Sequence, residues 1–250
     1  MSGRKLVVYA NPEKKGHGPS KDPFIPAPPF RMVMVGPPGC GKRSAVMNIV
    51  ANLEKPPKKI VVIHGDPSTI EYQGVTDDVR GPTGVPTIEE MRGSVPEKEE
   101  GKEEDSSDSE DEDPFAEQHK LVIVDEIPWH SLKRETLGKF ERLFNHVSTH
   151  ANTSVILCFQ QLVAIPPGVR RAIDHALLFK HIDLPAADNL AQRVGLSRKA
   201  LQEIMGADRS GNPGIVREKH DSLWIDLTAQ PEDPWRMRLN LWTPILPRVD

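Results

Sequence analysis

Residues 36–42 (GPPGCGK) constrain this chain most, because they match the pattern GxxxxGK between two apolar elements. An apolar run at residues 31–35 precedes them, and apolar residues recur at helical spacing over residues 43–53. A glycine-rich turn that opens a helix brings backbone N–H groups and the positive end of the helix toward one anion. The sequence therefore predicts a strand, a phosphate-binding loop and a helix in succession.

The loop and the two residues after it are the predicted nucleotide contacts: Gly36, Pro37, Pro38, Gly39, Cys40, Gly41, Lys42, Arg43 and Ser44. We expect Lys42 to reach the β- and γ-phosphates. Arg43 departs from the usual pattern, in which a Ser or Thr hydroxyl that coordinates Mg²⁺ follows the lysine. Ser44 lies one residue further on, about 100° around the helix. Two outcomes are open at this position: metal binding or turnover is weakened, or Ser44 or a water molecule takes the place of that hydroxyl.

Two adjacent carboxylates, Asp125 and Glu126, follow a second buried-strand pattern at residues 121–124 (LVIV). A carboxylate at the end of a parallel strand lies at the edge of the sheet where ligands bind. We expect Asp125, with Ser44, to hold Mg²⁺, and Glu126 to orient and deprotonate an attacking water molecule. Such a pair favours hydrolysis over transfer to a second substrate.

Gln160 ends another apolar run, residues 154–159. We expect a polar side chain at this place to face the same cleft and to form a hydrogen bond with the γ-phosphate or the attacking water. The sequence therefore predicts a site for ATP and Mg²⁺ in which Lys42, Glu126 and Gln160 are catalytic.

Strand and helix patterns alternate along the chain, which is typical of one α/β domain with a mostly parallel central sheet flanked by helices. Ser131 is the predicted N-cap of a helix that runs to Val147. The pattern near the C-terminus becomes rich in strands, which we expect to be antiparallel and to extend the sheet or close its edge. The predicted strands are residues 31–35, 59–64, 121–124, 154–159, 176–179, 215–216, 222–227 and 237–242.

Two segments lack a core-forming pattern. Residues 1–29 are polar and carry six prolines, so we expect a flexible N-terminal arm. Residues 97–117 are an acidic insertion that we expect to be disordered, because its first 17 residues hold eleven carboxylates and two lysines. Residues 30–250 are expected to form one P-loop ATPase domain, whose C-terminal part, residues 207–250, is β-rich.

The charge and composition exclude several classes of protein. The net charge of −4 arises from the acidic insertion, since the rest of the chain is mildly basic, which is compatible with work near nucleic acid. No apolar run approaches the ~18 residues of a membrane span, and no apolar segment of a secretory signal follows Met1. Cys40 and Cys158 are the only cysteines, which excludes a disulfide scaffold and a zinc ribbon.

The chain also resembles a known family in segments that are more specific than the loop. Residues 29–36 (PFRMVMVG), leading into GK, and residues 150–157 (HANTSVIL), leading into Gln160, are similar to the poxvirus-type DNA-packaging ATPases. These are viral members of the FtsK/HerA superfamily of ring-forming DNA pumps. Shorter matches are FNH at residues 144–146, and Ile165, Pro166 and Arg170. The resemblance extends over residues 29–194, except for the acidic insertion.

This resemblance implies a RecA-like P-loop core, with Lys42 as the phosphate-binding lysine, Asp125 as the Mg²⁺-holding acid, Glu126 as the water-activating acid and Gln160 as the nucleotide sensor. It implies a homo-oligomeric ring around double-stranded DNA, which ATP hydrolysis drives into a preformed capsid. A capsid or portal-like component would be a further partner, and no membrane insertion is implied. The expected place of action is intracellular, in the host cytoplasm or a viral factory, with the nucleus and the virion as further candidates.

Two positions depart from the family pattern. Relatives tend to have an arginine just before the HAN segment, a candidate finger that acts on the neighbouring subunit, but Thr149 stands there. Arg142, Arg170 and Arg171 are the alternative sources of that charge. Together with Arg43, this departure supports one alternative function, a catalytically impaired nucleotide-binding or scaffold protein of the same fold. Residues 65–80 and the basic residues near Arg170 are the predicted DNA-facing elements.

Overall fold

The computed structural model describes residues 6–8, 25–92, 118–160, 165–180, 197–206, 214–230, 233, 235–240 and 243–247 of the chain. The acidic insertion predicted at residues 97–117 lies outside the described residues. The same holds for most of the predicted N-terminal arm, apart from residues 6–8 and 25–29.

The described part of the chain contains strands that we number in chain order. They are β1 Leu6–Val8, β2 Arg31–Val35, β3 Lys59–His64, β4 Val79–Arg80, β5 Lys120–Asp125, β6 Thr153–Phe159, β7 His175–Phe179, β8 Ser222–Asp226, β9 Met237–Leu239 and β10 Thr243–Pro247.

The helices are numbered in the same way. They are α1 Lys42–Asn52, α2 Ile88–Arg92, α3 Arg134–Arg142, α4 Ser148–His150, α5 Pro167–Arg171 and α6 Arg198–Met205. A 3₁₀ turn, Trp129–Ser131, precedes α3, and a π-helical turn, Leu143–Val147, joins α3 to α4. Among the residues described, none of these helices is both long and apolar enough to span a membrane.

The strands form one sheet in the order β1-β10-β9-β8-β7-β2-β6-β5-β3-β4. The six strands from β7 to β4 pair in parallel. The C-terminal strands and β1 pair antiparallel and extend the sheet beyond β7. The prediction of an α/β fold with a mostly parallel central sheet and C-terminal antiparallel strands is confirmed.

Both faces of the sheet are covered by apolar cores, because successive residues of a strand point to opposite faces. In β2, Val33 and Val35 belong to the core that contains Phe140 of α3, whereas Met32 and Met34 belong to the core on the side of α1. Burial on both faces explains why the central strands appear in the sequence as continuous apolar runs instead of alternating ones.

The parallel register aligns the carboxyl ends of the central strands at one edge of the sheet. Val35, the last residue of β2, pairs with Phe159, the last residue of β6. His64 at the end of β3 pairs with Asp125 at the end of β5. The segments that leave these strands therefore meet at one place, and the predicted site residues lie in those segments.

The structure differs from the predicted flexible arm at several positions. Leu6–Val8 forms an antiparallel pair with β10. Ile25 is buried in the core on the side of α1. A few apolar residues within the polar segment thus make contacts that its average composition does not indicate.

The prediction that Ser131 caps the following helix is wrong. Ser131 ends the 3₁₀ turn, and its hydroxyl donates a hydrogen bond to the carbonyl oxygen of Pro128 at 2.8 Å. The helix begins at Arg134 after Lys133, and it continues past Val147 through α4. Ser131 thus lies two residues before Lys133, which occupies the cap position of the helix.

The strand predicted at residues 215–216 is also absent from the structure. The N–H of Val216 donates a hydrogen bond to the carbonyl oxygen of Ile204 at 2.8 Å, so this segment packs against the end of α6. The strand predicted at residues 237–242 ends earlier, since β9 stops at Leu239 and β10 begins at Thr243.

Trp224 of β8 attaches the antiparallel strands to the core, so we predict that Trp224→Ala strongly destabilises the protein. Its side chain is fully buried and stacks on His175 of β7 with 5.2 Å between ring centroids. Removal of a buried Trp side chain costs about 3–5 kcal/mol of the free energy of unfolding, which chemical denaturation measures. Trp224→Phe keeps a ring on His175 and should lose less; a similar small loss in both variants would contradict the prediction.

Candidate active site

A cleft of about 1060 Å³ lies at the carboxyl edge of the parallel strands. Its walls come from the loop after β2, the start of α1, the ends of β5 and β6, and the antiparallel strands. Clefts at this edge are the usual ligand sites of open α/β sheets, because the loops there diverge to either face.

The loop after β2 turns sharply at its glycines. Gly39 and Gly41 have φ angles of 68° and 109°, a region that residues with a Cβ rarely adopt. At Gly36 there is no room for a side chain, since an added Cβ would lie 2.6 Å from the Cβ of Phe179 and 2.7 Å from the sulfur of Cys40. The backbone therefore bends directly into α1, which begins at Lys42.

Lys42 folds back over this loop. Its Nζ donates hydrogen bonds to the carbonyl oxygens of Gly36 at 2.6 Å and of Pro37 at 3.0 Å. These carbonyls hold the ammonium group at the mouth of the loop, beside the backbone N–H groups of the first turn of α1. The arrangement concentrates positive charge where an anion would bind.

Asp125 is buried at the end of β5 and has two hydrogen-bond donors. The hydroxyl of Tyr72 donates to its Oδ2 at 2.7 Å, and the backbone N–H of Glu126 donates to its Oδ1 at 2.9 Å. Burial, together with Cys158 and Asp125, raises the pKa of Tyr72, so this hydroxyl remains a donor. The Asp125 carboxylate is thus held in one orientation at the floor of the cleft.

Glu126 leaves the strand with a φ of 52°, in the left-handed region where a side chain is strained. Its side chain is 55% exposed and lines the cleft. One carboxylate oxygen lies 3.6 Å from the Nε2 of His64, which is buried at the end of β3. Glu126 is therefore open to solvent, while its neighbour Asp125 is fixed by protein donors.

Arg43 extends from the first turn of α1 over these carboxylates. It forms an ion pair with Glu71, and its guanidinium lies 3.8 Å from Asp125 and 3.9 Å from Glu126. Burial lowers the pKa of Arg43, but the Glu71 carboxylate, with smaller contributions from Tyr72 and Asp125, raises it overall. The residue that replaces the usual hydroxyl is therefore paired with the acidic side of the cleft.

Gln160 follows β6, which lies between β2 and β5 in the sheet. Its side chain is exposed and lines the cleft between the phosphate loop and the carboxylates. Ser44 lines the cleft as well, one residue beyond Arg43. A polar amide thus stands between the two halves of the site.

The structure brings most of the predicted residues onto this cleft. Those that line it are Pro38, Gly39, Cys40, Gly41, Lys42, Arg43, Ser44, Asp125, Glu126 and Gln160. Gly36 and Pro37 contribute to the loop from behind, through the carbonyl oxygens that hold Lys42. None of the candidate arginines Arg142, Arg170 and Arg171 is among the residues that line it.

Sequence reasoning missed the residues that the antiparallel strands contribute. The Nδ1 of His220 lies 3.0 Å from the carbonyl oxygen of Cys40, and Ser222 and Asn240 line the same wall. The Nζ of Lys219 lies 3.4 Å from the position that a Cβ on Gly39 would occupy. Only the antiparallel pairing of β8 with β7 brings this segment to the phosphate loop, and no local pattern indicates it.

The residues present fit a nucleotide and a hard divalent cation. The loop and Lys42 supply the donors and positive charge that a polyphosphate requires. Asp125 and Ser44 offer oxygen ligands, which Mg²⁺ prefers over nitrogen or sulfur. The carboxylates of Glu71, Asp125 and Glu126, which surround the Arg43 guanidinium, make this part of the cleft acidic and so favourable for a cation.

Comparison with known proteins is consistent with these features. The family model described as "Poxvirus A32 protein" matches residues 23–212, which is most of the chain. No curated protein matches the chain.

Two solved structures share the fold. The genome packaging NTPase B204 from Sulfolobus turreted icosahedral virus 2 in complex with sulfate is 14% identical, with a TM-score of 0.50, over 89% of this chain and 100% of that one. The same NTPase in complex with ATP-gammaS is 12% identical, with a TM-score of 0.50, over 87% of this chain and 98% of that one.

The position of Lys219 above the phosphate loop predicts a contribution to nucleotide binding. Lys219→Ala should weaken the binding of a nucleoside triphosphate by about 3- to 10-fold, because an exposed ammonium beside an anion contributes about 1 kcal/mol. Titration with a fluorescent nucleotide measures this change. Lys199→Ala on α6, an equally exposed lysine, is the matched control; equal effects of the two variants would contradict the assignment.

Proposed function

The chain belongs to the poxvirus A32 protein family and is an ATPase of the viral DNA-packaging class; from that premise we propose that it hydrolyses ATP to move double-stranded DNA into a capsid during virion assembly. One observation carries the enzymatic part of this proposal. Lys42, the pair Asp125 and Glu126, and Gln160 lie on one cleft, at the carboxyl ends of the adjacent strands β2, β6 and β5.

ATP is the substrate of this site, and the loop after β2 binds its phosphates. The backbone N–H groups of the loop and of the first turn of α1 donate to phosphate oxygens, and the positive end of α1 faces the same charge. On binding, the Nζ of Lys42 exchanges the carbonyl oxygens of Gly36 and Pro37 for phosphate oxygens. Lys219 and His220 would close the loop from the side of β8.

Asp125 and Ser44 are the residues of this chain that would hold Mg²⁺. When bound, the metal neutralises charge on the phosphates and so favours displacement of the γ-phosphoryl group. The hydrogen bonds from Tyr72 and from the Glu126 backbone keep the Asp125 carboxylate oriented for this task.

Glu126 is the proposed general base. Its exposed carboxylate accepts a proton from a water molecule, whose oxygen attacks the γ-phosphorus, and ADP leaves with the bridging oxygen. Gln160, on the intervening strand, orients that water or senses the γ-phosphate. His64, 3.6 Å from Glu126, limits the positions that the base can adopt.

DNA is the proposed second substrate, held in the centre of a homo-oligomeric ring. Contacts with phosphates supply such binding without a sequence preference, and residues 65–80 and the basic residues near Arg170 are the candidate contacts. Arg142, Arg170 and Arg171 are the candidates for a charge supplied to the neighbouring subunit's active site. We further propose a capsid or portal-like partner and action in the cytoplasm or viral factory of an infected cell.

The proposed domain division keeps one P-loop ATPase domain at residues 30–250. The β-rich C-terminal part belongs to this unit, because β8 pairs with β7 and its preceding loop contacts the active site. The N-terminal arm and the acidic insertion would be appendages of that domain.

Substitution of the two principal residues separates binding from hydrolysis. Lys42→Ala should lose most nucleotide affinity, because the phosphates lose their only loop ammonium. Glu126→Gln should bind ATP normally but lower kcat about 10²- to 10⁴-fold, the usual contribution of a general base. Phosphate release, with and without double-stranded DNA, measures activity, and a fluorescent nucleotide measures binding.

Glu135→Gln is the matched control, since Glu135 is an exposed carboxylate on α3 that is 78% accessible. The motor predicts wild-type activity that rises with DNA and a control that behaves like wild type. Nucleotide binding without phosphate release by the wild type would instead favour the scaffold function. Full activity of Glu126→Gln would contradict the assignment of the base.

A further inference from the structure

We propose that Glu71 is a positioning residue of the ATPase site, which neutralises Arg43 and so leaves Asp125 and Glu126 available for the Mg²⁺–nucleotide complex. The inference rests on the proposed function, because it concerns the metal requirement of the same site. It assigns a role in the ATPase site to a residue of the segment 65–80, which the sequence analysis predicts to face DNA.

The starting point is the position of Arg43. The guanidinium lies 3.8 Å from the Asp125 carboxylate and 3.9 Å from that of Glu126, and its side chain is only 35% exposed. A guanidinium carries its charge at every accessible pH. At these distances it competes with a divalent cation for the same carboxylates and repels a cation bound there.

Glu71 reduces this competition between Arg43 and a divalent cation. Its carboxylate makes the direct ion pair with Arg43, whereas the two catalytic carboxylates stand almost 4 Å away. Arg43 is therefore drawn to the Glu71 side of the cleft and is partly neutralised there. Each Asp125 oxygen accepts one protein hydrogen bond and keeps a further lone pair with which it could bind Mg²⁺.

The neighbouring residue keeps Glu71 in place. Tyr72 is fully buried, donates a hydrogen bond to Asp125 at 2.7 Å, and lies with its ring centroid 5.7 Å from the Arg43 guanidinium. The turn around it is closed by a hydrogen bond from the N–H of Val75 to the carbonyl oxygen of Tyr72 at 3.1 Å. Glu71 is thus carried by an anchored turn.

A competing role for Glu71 is that of a direct metal ligand. His64, Glu71 and Glu126 offer ligand atoms within 4.8 Å of one another, and the Nε2 of His64 is buried. The Glu71 oxygen that faces His64 is also the one paired with Arg43. A metal ion at this cluster would therefore compete with Arg43 for the same Glu71 oxygen, and the two roles respond differently to the removal of Arg43.

The experiment is a double-mutant cycle on the full-length chain. Fluorescent ADP binding is titrated with Mg²⁺, and repeated in EDTA, for wild type, Glu71→Gln, Arg43→Ala, the double variant and the control Glu135→Gln. Neutralisation by Glu71 predicts that Glu71→Gln raises the half-saturating Mg²⁺ concentration about tenfold. Its ADP affinity in EDTA should be equal to that of wild type or higher, since the freed guanidinium still attracts phosphate. Thermal unfolding confirms that each variant is folded.

The double variant decides between the two roles. If Glu71 acts through Arg43, Arg43→Ala and the double variant have the same Mg²⁺ requirement, because no guanidinium is left to neutralise. If Glu71→Gln weakens Mg²⁺-dependent binding equally in both backgrounds, Glu71 is a metal ligand and the inference is wrong. An unchanged Mg²⁺ requirement in Glu71→Gln alone would also overturn it.

These outcomes are separable from failure of the proposed function. If the wild-type protein binds no ADP in the presence of Mg²⁺, the proposed ATPase site itself is contradicted. If the wild-type protein binds and hydrolyses ATP but Glu71→Gln behaves like Glu135→Gln, only the proposed role of Glu71 is contradicted.

Discussion

Parallel pairing of β2, β6 and β5 is the constraint on which the rest of the site depends. In this register Val35 lies beside Phe159 and Val124 beside Leu157, so the phosphate loop, Gln160 and the carboxylates leave the sheet at the same height. Burial of both faces holds that register, because a slip of one residue would exchange the side chains of the two cores. The geometry of the cleft is thus a consequence of apolar packing well below it.

Asp125 shows how the same packing supports a charge. It is the last residue of a strand whose side chains are all buried, and a carboxylate there is costly unless it is paired. Tyr72 reaches it from the segment after β3, and the turn at Glu126 supplies a backbone donor. The strained φ of Glu126 accompanies this turn, so the orientation of one carboxylate and the exposure of the next have a common structural origin.

Much of the fold and of the cleft could be predicted from local sequence patterns, whereas the other features depend on tertiary contacts. The strands at residues 31–35 and 59–64 have the predicted bounds, because continuous apolar runs between turn residues are typical of strands buried on both faces. Serine is a residue type that often caps helices, but the hydroxyl of Ser131 donates a hydrogen bond to the carbonyl oxygen of Pro128 within the preceding turn. Tyr72 contacts Asp125, and His220 contacts the phosphate loop, from segments that are distant in the sequence, so no local spacing indicates either contact.

The start of α1 explains why the phosphate loop favours an anion electrostatically. Its first two residues, Lys42 and Arg43, are both cations, its first turn contains no acidic residue, and Gly41 provides no side-chain cap. Cations at the positive end of a helix are unfavourable. Lys42 is compensated by carbonyl oxygens and Arg43 by Glu71, which leaves the backbone N–H groups of the turn facing the cleft. A phosphate group satisfies these donors and one cation together, and the site therefore gains most from a ligand that carries several negative charges.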